Sequence, residues 1–398
     1  MRLRVGVALV LLLAAVAAAN YLRPIPAVAA SPLLPASEVV EGTAPTLPWP
    51  SRGSAAVGVP GLGLIATSGN EQAIPAASVT KVMTALVVLV DAPLAVGGSG
   101  PSVTVTEADV QAYQSDLSQG QSVVKVEAGE VLTEMHLLQG MLIPSANNFA
   151  EMAARWNGAG SVDAFVAKMN ARAAALKMTH THFADPAGAS AQSVSTPSDL
   201  LVLGMTAMKE PAFAAIVAMP QVDIPVAGTV YNVNGVLGQS GIVGVKTGSG
   251  LNAGANFLFA STQTVDNHDI LVMGCIMGQP TLAVAFAGAK ALIAAISPGL
   301  HVRRVISRNQ SVARYTAPWG AETDLVSQVD VDVVEWPGLV LRQRLNAESV
   351  VIDHPLASGT REGMEHVVLG DYSLDVPLVT ADPVYPPGRL WRLTRVSF

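Results

Sequence analysis

The sequence predicts an α/β fold: a sheet covered by helices and carrying a helical subdomain, followed by a small C-terminal β-rich domain. Three observations predict it. Between about Gly61 and Pro298, short strand-like runs flank a block of apolar helices. After Gly299 helical periodicity disappears, and Val329, Val331 and Val333, then Tyr372, Leu374, Val376 and Leu378, alternate with other residues as strands do. The chain of 398 residues is 50% hydrophobic and 13% charged, yet it holds one uncharged run long enough to span a bilayer, from Val5 to about Leu22. A multi-span membrane protein is therefore excluded, and so is disorder, because core-forming residues are abundant. A net charge of -7 supplies no basic stripe for phosphates, so no nucleic-acid partner is expected.

Arg2 and Arg4 precede the apolar run, and Ala27-Val28-Ala29 offers a small-residue cleavage pattern beyond it. Residues 1–30 thus read as a signal peptide or, uncleaved, as an N-terminal anchor in the cytoplasmic membrane. Either outcome exports the chain, to the outer face of that membrane or to the extracellular or periplasmic space. Residues 31–60 carry Pro32, Pro35, Pro45, Pro48, Pro50 and Pro60 and read as a semi-rigid linker. The main domain then occupies 61–298 and the β-rich domain 299–398.

Within the main domain Gly63–Thr67 reads as a strand, and Ser78–Val90, apolar on nearly every face, as a buried helix. Thr133–Met141 and Asn147–Trp156 read as helices broken at Ile143-Pro144-Ser145, since proline disfavours helical geometry at the residue before it. Ser161–Met178 follows with helical spacing, and Thr196-Pro197 marks another helix start. Ile242–Lys246 and Asn256–Ala260 read as neighbouring strands across a Gly-rich turn, Ile270–Met277 as a third, and Leu282–Ile296 as a closing helix.

Ser78-Val79-Thr80-Lys81 sets a hydroxyl and an amine three positions apart on one helix face. A serine is a poor nucleophile until a base takes its proton. A lysine whose pKa is lowered by apolar surroundings can be that base. Ser122-Val123-Val124-Lys125 matches the same spacing but lies in an alternating stretch, which reads as a strand with a solvated lysine. Ser145-Ala146-Asn147 falls on the break between two helices, where side chains can point into a cleft. Lys246-Thr247-Gly248 ends a strand, and Gly248 leaves room for an extended peptide to approach the backbone.

Ser-x-x-Lys, Ser-x-Asn and Lys-Thr-Gly in this order resemble the penicillin-binding protein and serine β-lactamase superfamily, most closely the low-molecular-mass D-alanyl-D-alanine carboxypeptidases. The resemblance covers about Gly61–Ile296 and includes Phe183-Ala184-Asp185-Pro186-Ala187-Gly188. It implies a DD-peptidase/β-lactamase-like antiparallel sheet covered by helices. It also implies a serine-type carboxypeptidase acting on peptidoglycan stem peptides that end in D-Ala-D-Ala, with β-lactams as covalent inhibitors. Ser78 is then the nucleophile, Lys81 its proton acceptor, and Ser145 the group that passes a proton to the leaving D-alanine. Asn147 holds the substrate backbone and Lys81. Lys246 and Thr247 take the terminal carboxylate, Gly248 completes their motif, and the N–H groups of Ser78 and Ser249 form the oxyanion hole. No metal and no organic cofactor is implied.

Two departures stand out. Asn148 occupies the position after Ser-x-Asn where relatives often have an acid. No arginine occurs between Arg172 and Arg303, where relatives tend to carry one for the substrate carboxylate. The second departure supports an alternative, a catalytically weak or silent wall-binding protein. A β-lactamase is a further alternative, against which stands the lack of any glutamate from Met152 to Lys209. His180 and His182 read as surface or turn residues, Asp185 as a turn former before Pro186 in preference to a group that orients the cleft loop, and Cys275 as a buried small hydrophobe.

Overall fold

The computed structural model describes residues 2–69, 71–250 and 254–395. The chain divides into two compact units, Thr43–His301 and the pair of segments Met1–Gly42 and Val302–Phe398.

Thr43–His301 is built on one antiparallel five-stranded sheet, in the order Ile242–Ser249, Ala255–Val265, His268–Gln279, Ser54–Val59, Gly63–Thr67. Side chains alternate across it. On one face Leu258 and Met273 meet Gly204 of the helix Pro197–Ala207. On the other, the Phe257 ring stands edge-on to Phe286 of the helix Leu282–Ile296, at 4.9 Å between centroids. The two long central strands turn at Asp266-Asn267, both with positive φ (49° and 65°), a backbone that suits a tight hairpin. The centre of the expected Gly-rich turn after Lys246 lies outside the described residues.

The buried helix Lys81–Asp91 sits among Glu134–Leu142, Asn147–Asn157, Val162–Ala175 and Pro197–Ala207, which form the helical subdomain. Two of these helix starts show a local cause plainly. Thr133 caps its helix by accepting the His136 N–H, and Thr196 accepts the Asp199 N–H with Pro197 in the first turn. A helix at Glu107–Ser118, started by a reciprocal Thr106–Asp109 capping box, was not anticipated.

The second unit is a seven-stranded antiparallel sheet, in the order Ala30–Pro32, Ser311–Thr316, Glu322–Ser327, Tyr372–Thr380, Arg361–Leu369, Val340–Asn346, Ser37–Val39. A two-stranded ribbon of His301–Ile306 and Val331–Glu335 accompanies it. The β-rich character expected after Gly299 is present.

The Pro-rich segment 31–60 departs from the linker reading. Ala30–Pro32 and Ser37–Val39 are the two edges of the C-terminal sheet, where a proline without N–H is tolerated. Ser54–Val59, buried throughout, is a central strand of the other sheet. Its residues are small where neighbours press close, as at Gly58, where a Cβ would lie 2.7 Å from Met205 of the helix Pro197–Ala207, and small residues give little strand signal. Ser122–Lys125 differs too: it forms no strand, although Lys125 is exposed and pairs with Glu127 at 2.7 Å.

Candidate active site

Ser78 lies in a single turn of 3₁₀-helix, Ala77–Thr80, that leads into the helix begun by Lys81. The tighter turn eclipses residues three apart, which is why hydroxyl and amine meet. Lys81 Nζ is 2.8 Å from Ser78 Oγ, 2.7 Å from Asn147 Oδ1 and 2.8 Å from the Ala187 carbonyl oxygen. The two carbonyl oxygens can only accept. A neutral amine therefore gives its two hydrogens to Asn147 and Ala187 and turns its lone pair to the Ser78 hydroxyl.

The surroundings favour that neutral form. Lys81 is fully buried, and desolvation pushes its pKa well below the ordinary lysine range, with the charge of Lys246 acting in the same direction. Asp185, Asp116 and Glu151 oppose the shift without cancelling it. Burial also brings Lys246 down to about 7. The sequence reading passed over Asp116 and Glu151, since neither belongs to a motif.

Asp185 does more than form a turn before Pro186. One carboxylate oxygen accepts from the N–H groups of Ala187 and Ala189, and the other from the Ser190 N–H and the Ser193 hydroxyl. Thr84 Oγ1 adds a 2.6 Å bond to the Pro186 carbonyl. These bonds fix the loop that delivers the Ala187 carbonyl to Lys81. Gly188 follows at φ +75°, and a Cβ there would lie 1.8 Å from the Ala77 carbonyl oxygen, so only glycine lets the loop close on the nucleophile turn.

Ser145 is buried, at φ +70°, in the break between the helices Glu134–Leu142 and Asn147–Asn157. The break turns Asn147 toward Lys81. The Asn147 Nδ2 hydrogens face Gln121 Oε1, and its backbone N–H donates to the Ser122 carbonyl at 2.7 Å. The segment that resembled a second Ser-x-x-Lys thus lines the Ser-x-Asn break.

Lys246, Thr247 and Gly248 are buried at the end of the edge strand Ile242–Ser249, and Ser249 is exposed. Lys246 Nζ donates to the Thr247 carbonyl at 3.1 Å. Gly248 needs its missing side chain for a different reason than expected. A Cβ would sit 2.8 Å from the Ala76 carbonyl oxygen and 3.1 Å from the Ser78 nitrogen, so the close neighbour is the nucleophile turn itself.

Asn256 ties these elements together and was missed by motif reading. It is the cross-strand partner of Gly248, fully buried. Its Nδ2 donates to the carbonyls of Pro75 (3.0 Å) and Ala76 (3.1 Å), and its Oδ1 accepts the Gly278 N–H at 3.0 Å. A buried asparagine in an otherwise apolar strand was the available signal, because such a group must find partners.

A partly exposed serine, a buried lysine beside it and a strand edge next to both stand on the DD-peptidase fold. The chain belongs to the peptidase S11 family, D-alanyl-D-alanine carboxypeptidase, whose sequence profile matches residues 63–281. It is 36% identical over 163 residues to the D-alanyl-D-alanine carboxypeptidase DacB2 of Mycobacterium tuberculosis, covering 40% of this chain and 51% of that protein. The matched region is thus about half of that relative's length. The crystal structure of the Streptomyces K15 DD-transpeptidase is similar with a TM-score of 0.56 and 27% identity, over 64% of this chain and 98% of that one. Penicillin binding protein 5 from Haemophilus influenzae, at 19% identity and TM-score 0.63, covers 87% of this chain and 100% of its own, a likeness of fold alone.

Proposed function

We propose that this chain is an exported serine-type D-Ala-D-Ala carboxypeptidase that acts on peptidoglycan stem peptides and is acylated by penicillins. The observation that carries the reading is the set of three contacts at Lys81 Nζ, which leaves a neutral amine one direction for its lone pair, toward Ser78. Ser78 Oγ attacks the carbonyl between the terminal D-alanines, and its proton passes to Lys81. The N–H groups of Ser78 and Ser249 receive the developing oxyanion. Ser145 relays that proton from Lys81 to the departing D-alanine, which leaves the lysine neutral again, and water hydrolyses the acyl-enzyme. Lys246 and Thr247 hold the substrate's terminal carboxylate.

Fluorescent penicillin is expected to label the wild type and not Ser78→Ala, and the purified wild type to release D-alanine from a stem pentapeptide. Equal labelling of both proteins overturns the proposal. A second reading, a weak or silent wall-binding protein, has support of its own: the Asn147 amide faces Gln121, and no arginine lies between Arg172 and Arg303. Labelling without D-alanine release favours that second reading. Rapid hydrolysis of a chromogenic cephalosporin favours a β-lactamase instead.

A further inference from the structure

We propose that the helix Arg2–Leu22 is retained as a membrane anchor, and that the C-terminal end of the chain is a clamp built onto its exit from the bilayer. The clamp lies on the outer phospholipid interface. Nothing in this inference depends on the chemistry at Ser78.

Arg4–Leu22 has a mean hydropathy of 2.3 and none of it is buried. Its 19 residues extend about 28 Å as a helix, close to the thickness of the hydrocarbon layer. The last carbonyls of a helix lack N–H partners of their own and favour cations. Here those donors come from the far end of the sequence. The Arg395 guanidinium donates to the carbonyls of Asn20, Arg23 and Pro24, with 2.8 Å to Asn20 and 3.0 Å to Pro24. Arg392 donates to the Tyr21 carbonyl at 2.9 Å and lies 4.4 Å over the Tyr21 ring. Asn20 Nδ2 returns a bond to the Leu393 carbonyl at 3.2 Å. Cleavage after Ala29 removes every one of these partners.

The small-residue triplet that suggested cleavage is itself part of the fold. Val28 is 3% exposed and exchanges two hydrogen bonds with Val350, at 2.8 and 3.0 Å, and Ala30–Pro32 continues as a sheet edge. Only Arg23–Ala27 separates the helix end from that bridge, so the C-terminal unit is held at the membrane surface.

What faces outward there suits a lipid interface. Leu390 is 75% exposed and Tyr385 61%, while Trp391 stands edge-on to Trp319 at 5.4 Å, with Arg395 over its ring. Aromatic rings with arginines and leucines at a helix exit match the headgroup region, where apolar bodies and polar tips are both satisfied.

The test uses the full chain, exported by a bacterial host. The mature protein is expected to keep its N-terminal helix by intact mass and to stay in the membrane fraction after alkaline washing. A mature N-terminus at or beyond Arg23 overturns the proposal. In vesicles of phosphatidylglycerol and phosphatidylcholine with brominated acyl chains, tryptophan emission is quenched, and Trp391→Phe removes a clear part of that quenching. Equal quenching with and without Trp391 overturns the interfacial placement. The double variant Arg392→Ala, Arg395→Ala uncovers the half-buried Tyr21, so chymotrypsin, cutting after Tyr21, releases the soluble part at least severalfold faster, with penicillin labelling unchanged. Unchanged release overturns the clamp.

Discussion

Asn148 binds the backbone of Val124 in both directions, donating to its carbonyl at 2.8 Å and accepting its N–H at 3.2 Å. A carboxylate can accept but cannot donate. The amide that departs from the acidic residue common in relatives is therefore what this chain needs to hold the segment lining the Ser-x-Asn break. Asn148→Asp leaves the Val124 carbonyl facing a carboxylate in a buried site, and an unmet polar group of this kind costs about 1–3 kcal/mol. Urea denaturation is expected to report a loss of that size, growing as pH rises and the new acid ionises. Undiminished stability contradicts the pairing.

In the proposed reaction Asn256 is a positioning residue that acts through the backbone before Ser78. With Asn256→Ala, the carbonyls of Pro75 and Ala76 lose their donor, and the Ser78 N–H is no longer fixed against Gly248. Displacing an oxyanion donor costs up to about 10²–10³ in turnover when the donor is lost outright, so a partial displacement is expected to cost roughly tenfold to a hundredfold. The loss belongs in kcat and in the affinity of a boronic acid that mimics the oxyanion. KM for the peptide stays nearly constant, because the carboxylate contacts are intact. A rise in KM at unchanged kcat contradicts the positioning role.

Motif spacing made the residues that meet at the candidate site legible, because Ser78 and Lys81 lie within one turn and each later motif falls on a break or a strand end. Helices with threonine caps, such as those after Thr133 and Thr196, were legible for the same local reason. What spacing could not reveal were contacts made across the fold. The Ala187 carbonyl, Asn256 and Gln121 reach the site from loops and strands far away in sequence, and the first of them acts through a backbone group any residue could offer. Ser54–Val59 and Ala30–Pro32 were hidden because small residues and proline suppress the alternation by which strands are recognised.

Glu134 gives a stability signature away from the reaction. It is 1% exposed, its Oε1 has no hydrogen-bond partner, and burial raises its pKa from 4.5 to about 7. Between these two values the folded chain keeps a proton that the unfolded chain has released. Its contribution is full below about 4.5 and declines as pH rises through about 7. Glu134→Gln is expected to flatten the fall in melting temperature over that interval. An unaltered slope contradicts the assignment.

Lys81 and Lys246 set the pH dependence in opposite senses. The proposed reaction needs Lys81 neutral, to accept a proton, and Lys246 charged, to hold a carboxylate. Lys246 loses its charge in the free enzyme as pH rises through about 7. For a peptide with a free terminal carboxylate, kcat/KM is therefore expected to fall above that point by about tenfold per pH unit. Bound carboxylate stabilises the ammonium, so kcat itself persists to higher pH. Lys246→Arg keeps its charge throughout, and the alkaline fall disappears even if the rate is lower. Lys246→Gln removes a positive charge that holds the Lys81 pKa down. Lys81 then stays protonated to higher pH, and the acid limb of penicillin acylation moves upward. An acid limb that stays in place, or moves down, shows that the two lysines do not sense each other.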